Sequence, residues 1–285
     1  MRELSIDGAS KIGEGAHGEV YQISEDTIVK VFRPFVTMDE IQREKELAKW
    51  ALIKRLPTAI SFDIVKVGES YGVVYEMLDA CSTSDFIQRS DENFDMFIEK
   101  SVELLKRIHS VSVSDGELPD MKEKYLQMAE VCRTHLSDEC YGKLINLING
   151  VPDSHTLLHA DYHLKNIMIS RGRLMLIDMD TLCYGDPIFD LASIYNSYRQ
   201  FPSISPNAAA FLGIDVDMAY RIWERMLDAY LGDVFHSRRD DVERKAQILG
   251  CVRIIDFAER RMKNEEGELC INVCTGDISD RLDTF

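Results

Sequence analysis

The spacing of hydrophobic and polar positions changes along the 285-residue chain. Between about Lys11 and Leu78, short segments alternate between apolar and polar residues, which is typical of β-strands. From about Ser84 onward, apolar residues recur at spacings of three and four, the pattern of amphipathic α-helices. The pattern therefore predicts a small β-rich region followed by a larger, mainly helical one.

Individual elements can be predicted within both regions. The β-rich region contains four strand patterns, GEVYQIS, TIVKVF, FDIVKV and YGVVYEML. A helix begins between them, because Thr37 and Glu40 have the spacing of a capping box. In the helical region, NIMIS and RLMLID flank Arg171-Gly172-Arg173, which favours a β-hairpin. The helical stripes consist of Phe94, Phe97, Ile98, Val102, Leu105 and Ile108, and of Ala219, Ile222, Trp223, Met226 and Tyr230.

Charge and cysteine usage exclude several classes of protein. The chain has 33 Lys+Arg against 49 Asp+Glu, a formal charge of −16, which is unsuited to binding nucleic-acid phosphates. No apolar run approaches the roughly 18 residues of a membrane helix, and the first residues carry no signal-peptide core. The seven scattered cysteines have neither zinc nor C-x-x-C spacing, as expected for free thiols. We therefore expect a cytoplasmic protein with no nucleic-acid or membrane partner; the sequence indicates no oligomeric state.

A glycine-rich segment lies near the start of the chain. Gly13, Gly15, Gly18 and Val20 form the pattern G-x-G-x-x-G-x-V. A dinucleotide-binding segment of this kind should open a helix, whereas here the glycines lead into the strand pattern GEVYQIS. The context favours the glycine-rich hairpin that covers ATP phosphates in kinases.

A lysine and a glutamate with apolar neighbours follow. Lys30 lies within TIVKVF and needs an anion, unless it reaches solvent from an edge strand. Glu44 falls inside the apolar stripe of the predicted helix, where an acid is costly without a partner, so we predict that it pairs with Lys30. The alternative places Glu44 at the rim of the stripe, in water. The stripe itself consists of Ile41, Ala48, Ala51 and Leu52.

The strongest motif is His159-Ala-Asp-Tyr-His-Leu-Lys-Asn166. Phosphoryl transfer needs a carboxylate beside the acceptor hydroxyl and oxygen ligands for Mg²⁺. Asp161, Asn166 five residues later and Asp178 beyond the predicted hairpin supply that set. Each could instead be a turn or cap residue. Their occurrence in this order, after a glycine-rich segment and a strand lysine, indicates phosphoryl transfer.

These motifs resemble those of protein-kinase-like phosphotransferases, in particular the aminoglycoside phosphotransferase and choline kinase branch. The strongest motif is similar to H-G-D-x-H-x-x-N, with Ala160 in place of glycine and His163 where protein kinases have lysine. Asp178-Met-Asp180 stands where the branch has I-D-x-D/E, and the segment 185–192 matches G-D-P-x-x-D-L-A. Only six residues separate Asp178 from Gly185, too few for a protein-kinase activation segment.

The resemblance implies a bilobal α+β fold of the protein-kinase type. A nucleotide-binding N-lobe would occupy residues 1–78, with β-strands and one helix, and a catalytic and substrate-binding C-lobe would occupy residues 79–285, mainly helical but containing a catalytic β-hairpin. The enzyme would move the γ-phosphate of ATP, or of GTP, to a hydroxyl of a small molecule. A catalytically silent nucleotide-binding regulator and a kinase acting on a protein are the alternatives.

The resemblance also implies roles for individual residues. Asp161 and His163 would be catalytic, and Asn166 and Asp178 would bind Mg²⁺. The cofactor-binding residues would be Gly13, Gly15, Gly18, Val20, Lys30, Glu44, Glu76 and Leu78, the last two through backbone groups that bind the base. Asp190 would tether loop amides, and His109 and His159 would brace the catalytic loop.

The acceptor is the least determined feature. Residues 79–285 carry 13 of the 16 net negative charges, which favours a cationic acceptor such as an aminoglycoside or an amino alcohol, although sugars and other metabolites stay open. Asp256 and Glu259 could bind an ammonium group, but neighbouring basic residues favour a solvated, ion-paired face. The last ninety or so residues match no motif.

Overall fold

The computed structural model describes residues 1–15 and 17–283; Ala16, within the glycine-rich segment, lies outside them. The chain folds into two compact units. The first comprises Met1–Thr83 and Asn166–Thr181, and the second comprises Ser84–Lys165 and Leu182–Phe285. The first is β-rich with one long helix and the second is mainly helical, as the sequence pattern predicts.

The strands are β1 (Arg2–Glu3), β2 (Ser10–Glu14), β3 (Gly18–Gln22), β4 (Thr27–Phe32), β5 (Ser61–Val67), β6 (Ser70–Glu76), β7 (Ala80–Ser82), β8 (Leu157–Leu158), β9 (Ile167–Ser170), β10 (Arg173–Leu176) and β11 (Cys183–Tyr184). The helices are α1 (Met38–Ile53), α2 (Thr83–Ile87), α3 (Asp91–His109), α4 (Met121–Cys132), α5 (Asp138–Asn149), α6 (Ile188–Tyr195), α7 (Phe201–Ile204), α8 (Pro206–Phe211), α9 (Val216–Leu231), α10 (His236–Arg261) and α11 (Glu265–Leu282). A 3₁₀ turn covers Leu164–Asn166, and a π-helix covers Asn196–Gln200.

A six-stranded sheet forms the body of the first unit. Its order is β1-β5-β6-β4-β3-β2, with β1 parallel to β5 and every other neighbour antiparallel. The four predicted strands are β3, β4, β5 and β6, whereas β1 and β2 were not predicted. Helix α1 begins with the predicted capping box, in which the Thr37 amide donates to Glu40 Oε2 at 2.7 Å and the Glu40 amide donates to Thr37 Oγ1 at 3.3 Å.

The two faces of this sheet bury different side chains. Val29 of β4 belongs to one apolar cluster, and Phe32 of the same strand belongs to another, with Ile41 of α1. Since side chains alternate along a strand, Lys30 lies on the Phe32 face, the one that α1 covers. Helix α1 buries most of its predicted stripe, but Leu52 is 41% exposed near the end of the helix, so its predicted burial is wrong.

A second, three-stranded sheet in the first unit contains the predicted hairpin. Strands β9 and β10 pair in register around Arg171 and Gly172, whose positive φ angles of 49° and 73° are those of a type I′ turn. Strand β7 pairs with β9, and Leu176 donates its amide to the Pro57 carbonyl at 2.7 Å. The hairpin therefore folds with the β-rich unit. The functional lobes at 1–78 and 79–285 stay a prediction.

The second unit is built around α10. This helix packs against α4, α6 and α11, and the short strands β8 and β11 pair at residues 157–158 and 183–184. Both predicted stripes, on α3 and α9, are buried except at Tyr230, which is half-buried. Within residues 1–15 and 17–283, no helix combines the length and apolarity needed to cross a lipid bilayer.

Candidate active site

The glycine-rich segment connects β2 to β3 in the first unit. The Gly15 amide donates to the Gly18 carbonyl at 2.9 Å. A β-carbon on Gly18 would lie 2.3 Å from the Val31 carbonyl oxygen, so this glycine is required by packing against β4. Gly15 has open space where a β-carbon would be, and Gly13 has only ordinary contacts with Val20. Packing alone therefore does not require glycine at 13 and 15.

The predicted pairing of Lys30 with Glu44 is confirmed. Lys30 Nζ donates to Glu44 Oε1 at 2.7 Å and lies 3.5 Å from Asp178 Oδ1, and Tyr75 also donates its hydroxyl to Glu44 Oε1 at 3.1 Å. Burial lowers the pKa of Lys30, but the nearby carboxylates of Asp178 and Glu44 outweigh it and leave the pKa above its usual value. Burial and the Glu44 charge raise the pKa of Tyr75. Lys30 is thus a fixed cation held between two carboxylates.

Three carboxylates in the first unit lie close enough to share a metal ion. Oxygens of Glu44, Asp178 and Asp180 all lie within 4.8 Å of one another. Glu44 is buried and already bonded to Lys30 and Tyr75, whereas the Asp178 side chain is 39% exposed. Oxygen-rich, partly hydrated sites suit Mg²⁺, so this donor set fits the ion.

Asn166 lies at the same end of the hairpin as Asp178. It directly precedes β9, and its carbonyl accepts a hydrogen bond from the Ile177 amide at 2.9 Å. The Asn166 side chain is buried. The pairing of β9 with β10 therefore brings the two predicted metal ligands to one edge of the small sheet.

Glu76 at the end of β6 and Leu78 just after it were predicted to bind the base. The Glu76 amide donates to the Ile60 carbonyl at 2.9 Å, and the Met77 amide donates to the Asp26 carbonyl at 2.8 Å. Among residues 1–15 and 17–283, no group accepts a hydrogen bond from the Leu78 amide. The amide of Leu78 is therefore available to a ligand, while the amide of Glu76 is not.

The side chains of Asp161 and His163 face each other in the second unit. His163 Nε2 lies 3.3 Å from Asp161 Oδ2, and His163 Nδ1 accepts the Lys165 amide at 3.2 Å, so the proton of a neutral ring lies on Nε2. Burial raises the pKa of Asp161, but the hydrogen bond and charge of His163 outweigh it, with smaller effects from Arg253 and His159. The pKa of Asp161 therefore lies far below its usual range, and the carboxylate is ionised at neutral pH.

The residue before Asp161 has a strained backbone. Ala160 has a φ of 64°, a left-handed conformation that costs a residue with a β-carbon about 1 kcal/mol. Asp190 accepts the Ala160 amide at 2.6 Å through Oδ1 and the His159 amide at 3.0 Å through Oδ2. The predicted tethering by Asp190 is confirmed, and His109 braces Asp190 itself, with Nε2 3.0 Å from Asp190 Oδ2.

Two further residues at these sites were not assigned from the sequence. Asp180 joins the carboxylate cluster, a position that the Asp-Met-Asp spacing could have indicated. Arg253 of α10 donates to the Ala160 carbonyl at 2.6 Å, and no local motif marks it. Asp256 and Glu259 pair with Arg260 and Lys263 at 2.7 and 2.9 Å, as expected for an ion-paired face.

Comparison with known proteins identifies relatives of the chain. A model of the phosphotransferase enzyme family matches residues 8–226. A probable serine/threonine-protein kinase from Dictyostelium discoideum is 27% identical over an alignment of 135 positions that covers 42% of this chain and 20% of that protein. The chain thus spans about one fifth of the length of this curated relative.

Solved structures with similar folds come from two groups of kinases. The aminoglycoside phosphotransferase APH(2'')-Ib, bound to ADP, has a TM-score of 0.65 at 17% identity, over 96% of this chain and 94% of that chain. A choline/ethanolamine kinase family protein from Mesorhizobium loti has a TM-score of 0.59 at 12% identity, over 96% and 90%. These likenesses confirm the protein-kinase-like α+β fold. Because the family model matches well over half of its residues, the chain belongs to the phosphotransferase enzyme family.

Proposed function

We propose that this phosphotransferase is a small-molecule kinase, which moves the γ-phosphate of ATP or GTP to a hydroxyl of a small molecule. The observation that carries the proposal is the position of Lys30, whose Nζ lies 2.7 Å from buried Glu44 and 3.5 Å from exposed Asp178. One cation beside a cluster of three carboxylates suits a polyphosphate that binds together with a divalent metal ion.

The first unit would bind the nucleotide. Lys30 would contact phosphate oxygens while Glu44 holds its ammonium group in place. The lack of side chains at Gly13 and Gly15 would let the backbone approach the phosphates, beside Val20 and Gly18 on β3. The free amide of Leu78 and the carbonyl of Glu76 would bind the edge of the base.

Asn166 and Asp178 would hold Mg²⁺, together with Asp180. Bound there, the ion would neutralise charge on the phosphate oxygens. The carboxylates and Lys30 carry a net negative charge on their own, so the triphosphate would be repelled if it arrived without a metal.

Asp161 would orient the acceptor hydroxyl. Its low pKa makes it a weak base, so it would accept the hydroxyl proton only as the hydroxyl oxygen forms its bond to the γ-phosphorus. The bond from that phosphorus to the bridging oxygen breaks in the same step, and the electron pair leaves on the nucleoside diphosphate. His163 would keep Asp161 ionised and oriented. Positioning and charge neutralisation would then supply most of the rate enhancement.

The acceptor would be cationic. The two similar structures described above are named for an aminoglycoside phosphotransferase and for a choline/ethanolamine kinase family, and aminoglycosides, choline and ethanolamine are all cationic at neutral pH. The net charge of −13 over residues 79–285 supports the same class, because it attracts cations. We also place the protein in the cytoplasm, since all seven cysteines are free thiols.

Product formation tests the proposal. The protein would be incubated with Mg²⁺, ATP or GTP, and single acceptors from sets of aminoglycosides, amino alcohols and neutral sugars, and phosphorylated products detected by mass spectrometry. We expect one cationic acceptor to gain a phosphate, and Asp161→Ala and Asp178→Ala to lose product formation while their melting temperatures stay within a few degrees. Equal product formation by Asp161→Ala and the wild type would contradict the assignment.

A protein acceptor is the second candidate, because the Dictyostelium relative is a probable serine/threonine-protein kinase. The six residues between Asp178 and Gly185 argue against it, since they leave no activation segment. Transfer of ³²P from γ-labelled ATP to protein, with no labelled small molecule, would favour this candidate. Nucleotide binding without any transfer would instead indicate a silent regulator.

A further inference from the structure

Arg253 lies far along the chain from the motifs of the proposed site. It belongs to α10, beyond residue 226, where the family match ends. Its Nη1 donates to the Ala160 carbonyl oxygen at 2.6 Å. Among residues 1–15 and 17–283, no carboxylate lies within ion-pair distance of its guanidinium. The charge of this half-buried arginine lowers the pKa of Asp161 without a salt bridge to it, so its hydrogen bond to a backbone carbonyl calls for a further reason.

Ala160 supplies that reason. Its β-carbon disfavours the left-handed conformation, so a φ of 64° persists only where neighbouring groups hold the peptide. Asp190 accepts a hydrogen bond from the Ala160 amide. The Ala160 carbonyl accepts hydrogen bonds from Ser193 Oγ at 3.0 Å and from Arg253. Hydrogen bonds therefore hold both peptide groups that flank Ala160, which is itself only 2% exposed.

The carbonyl of Ala160 and the amide of Asp161 belong to one peptide plane. A hydrogen bond that orients this carbonyl therefore also orients the first backbone atoms of Asp161. The Asp161 amide donates to His159 Nδ1 at 3.3 Å from the same plane. Rotation of the plane would move the carboxylate of Asp161 away from the place where His163 holds it.

We propose that Arg253 is a positioning residue for Asp161, acting through the left-handed peptide of Ala160. The inference rests on the proposed function, in which Asp161 orients the acceptor hydroxyl. Loss of the guanidinium frees the peptide plane, so the Asp161 carboxylate can move. Small displacements of a reacting group lower turnover strongly, while nucleotide binding stays almost unchanged.

The test uses the full chain, four variants and a matched control variant. Arg253→Met keeps the length of the side chain and removes its donors, and Arg253→Lys keeps a single cationic donor. The double variant Arg253→Met/Ala160→Gly adds a residue that adopts positive φ without a β-carbon penalty, and single Ala160→Gly is its reference. Arg260→Met is the matched control, because Arg260 lies on the same helix, has a side chain that is 60% exposed and pairs with its neighbour Asp256.

Two readouts are measured: kcat and KM with the acceptor from the mass-spectrometric screen, and hydrogen exchange of the amides of residues 159–161. We expect Arg253→Met to lower kcat about 10- to 100-fold, with the nucleotide KM changed less than about threefold, and to speed amide exchange about tenfold. Arg253→Lys should fall between it and the wild type. The Ala160→Gly substitution should restore most of both losses in the double variant.

Wild-type kcat and exchange in a folded Arg253→Met variant would overturn the proposal. So would losses of equal size in Arg260→Met, or a double variant that recovers neither readout at an unchanged melting temperature. If the wild type turns over no acceptor, the proposed function fails. Hydrogen exchange of the amides of residues 159–161 then still tests whether Arg253 fixes the peptide of Ala160.

Discussion

Two non-glycine residues with left-handed backbones occur beside the proposed chemistry, one in each unit. Asp178 in the first unit has a φ of 65° and a side chain that is 39% exposed, and its near neighbour is Lys30 at 3.5 Å. Ala160 in the second unit has a φ of 64°, is 2% exposed, and is held by hydrogen bonds from or to Asp190, Ser193 and Arg253.

Under the proposed function, the difference separates a site that a ligand would complete from one that the protein itself completes. Aspartate tolerates the left-handed region because its short polar side chain can bond locally, whereas alanine has no such means. Glu44 and Asp178 of the first unit share the Lys30 cation, and with Asp180 beside them the cluster keeps unbalanced negative charge. In the second unit, Asp190 satisfies its charge internally through two amides and His109.

Exchanging each aspartate for asparagine gives the largest expected contrast. In Asp190→Asn, the new NH₂ group faces either the buried Ala160 amide or His109, so a hydrogen bond to the carboxylate is lost. The unfolding free energy should fall by about 3 kcal/mol. Asp178→Asn removes charge from an exposed cluster, so unfolding free energy should change by less than about 1 kcal/mol while phosphotransfer is lost. Urea titrations of both variants measure this, and equal destabilisation would break the comparison.

Acidification should destabilise the second unit by protonating Asp190. The loss of unfolding free energy should be no larger than the loss in Asp190→Asn. Burial raises the pKa of Asp190, but the hydrogen bond and charge of His109 and the amide of His159 outweigh it, so the pKa lies below its usual value. The stabilisation is therefore present above the unfolded pKa of about 4, and it is lost as pH falls through the folded pKa. Urea titrations from pH 6 to pH 3 should show a steeper fall for the wild type than for Asp190→Asn; parallel curves would contradict it.

The glycines of the first unit sharpen the distinction between packing and ligand binding. Gly18→Ala brings a β-carbon to 2.3 Å from the Val31 carbonyl oxygen and should destabilise the fold by about 2 kcal/mol. Gly15→Ala enters open space, so its melting temperature should match the wild type while the KM for ATP rises several-fold. Calorimetry and initial-rate kinetics compare the two, and an unchanged KM in Gly15→Ala would remove Gly15 from the phosphate site.

The smallest expected effect is on the stability of the Ala160→Gly variant. Removing the β-carbon relieves the left-handed strain, while the greater freedom of glycine in the unfolded chain offsets part of the gain. We expect a rise of about 0.5 kcal/mol in unfolding free energy, measured by urea titration. A loss above about 1 kcal/mol would mean that the hydrogen bonds around residue 160 leave no strain to relieve.

Local sequence signals predicted much of the first unit. Four strands, the Thr37 capping box and the hairpin at Arg171-Gly172 each depend on residues close together in the chain. The Lys30–Glu44 pair was also predictable, because helical periodicity placed an acid on the buried face and a strand lysine needed an anion. Strands β1 and β7 were not predicted, since two or three residues carry no periodicity and their pairing partners are distant in sequence.

The candidate site divides in the same way. The motif spacing indicated Asp161, Asn166 and Asp178, and the tethering role of Asp190 followed from the family resemblance. Arg253 on the Ala160 carbonyl emerged only when distant elements were brought together, whereas the Asp-Met-Asp spacing could have indicated Asp180 in the carboxylate cluster. The burial of Leu52 was predicted wrongly, because helical periodicity does not reveal where the covering sheet ends.

By itself, the sequence determined the chemistry: which carboxylates, lysine and glycines are present, in an order typical of phosphoryl transfer, on elements that local periodicity can predict. The tertiary structure decided which of those groups are fixed by hydrogen bonds or ion pairs, and which residues supply those interactions. Ala160 illustrates the reason, since alanine does not favour a φ of 64° on its own, and the hydrogen bonds that hold it come from residues 30 and 93 positions away. Such long-range bonds leave no periodic pattern in the chain.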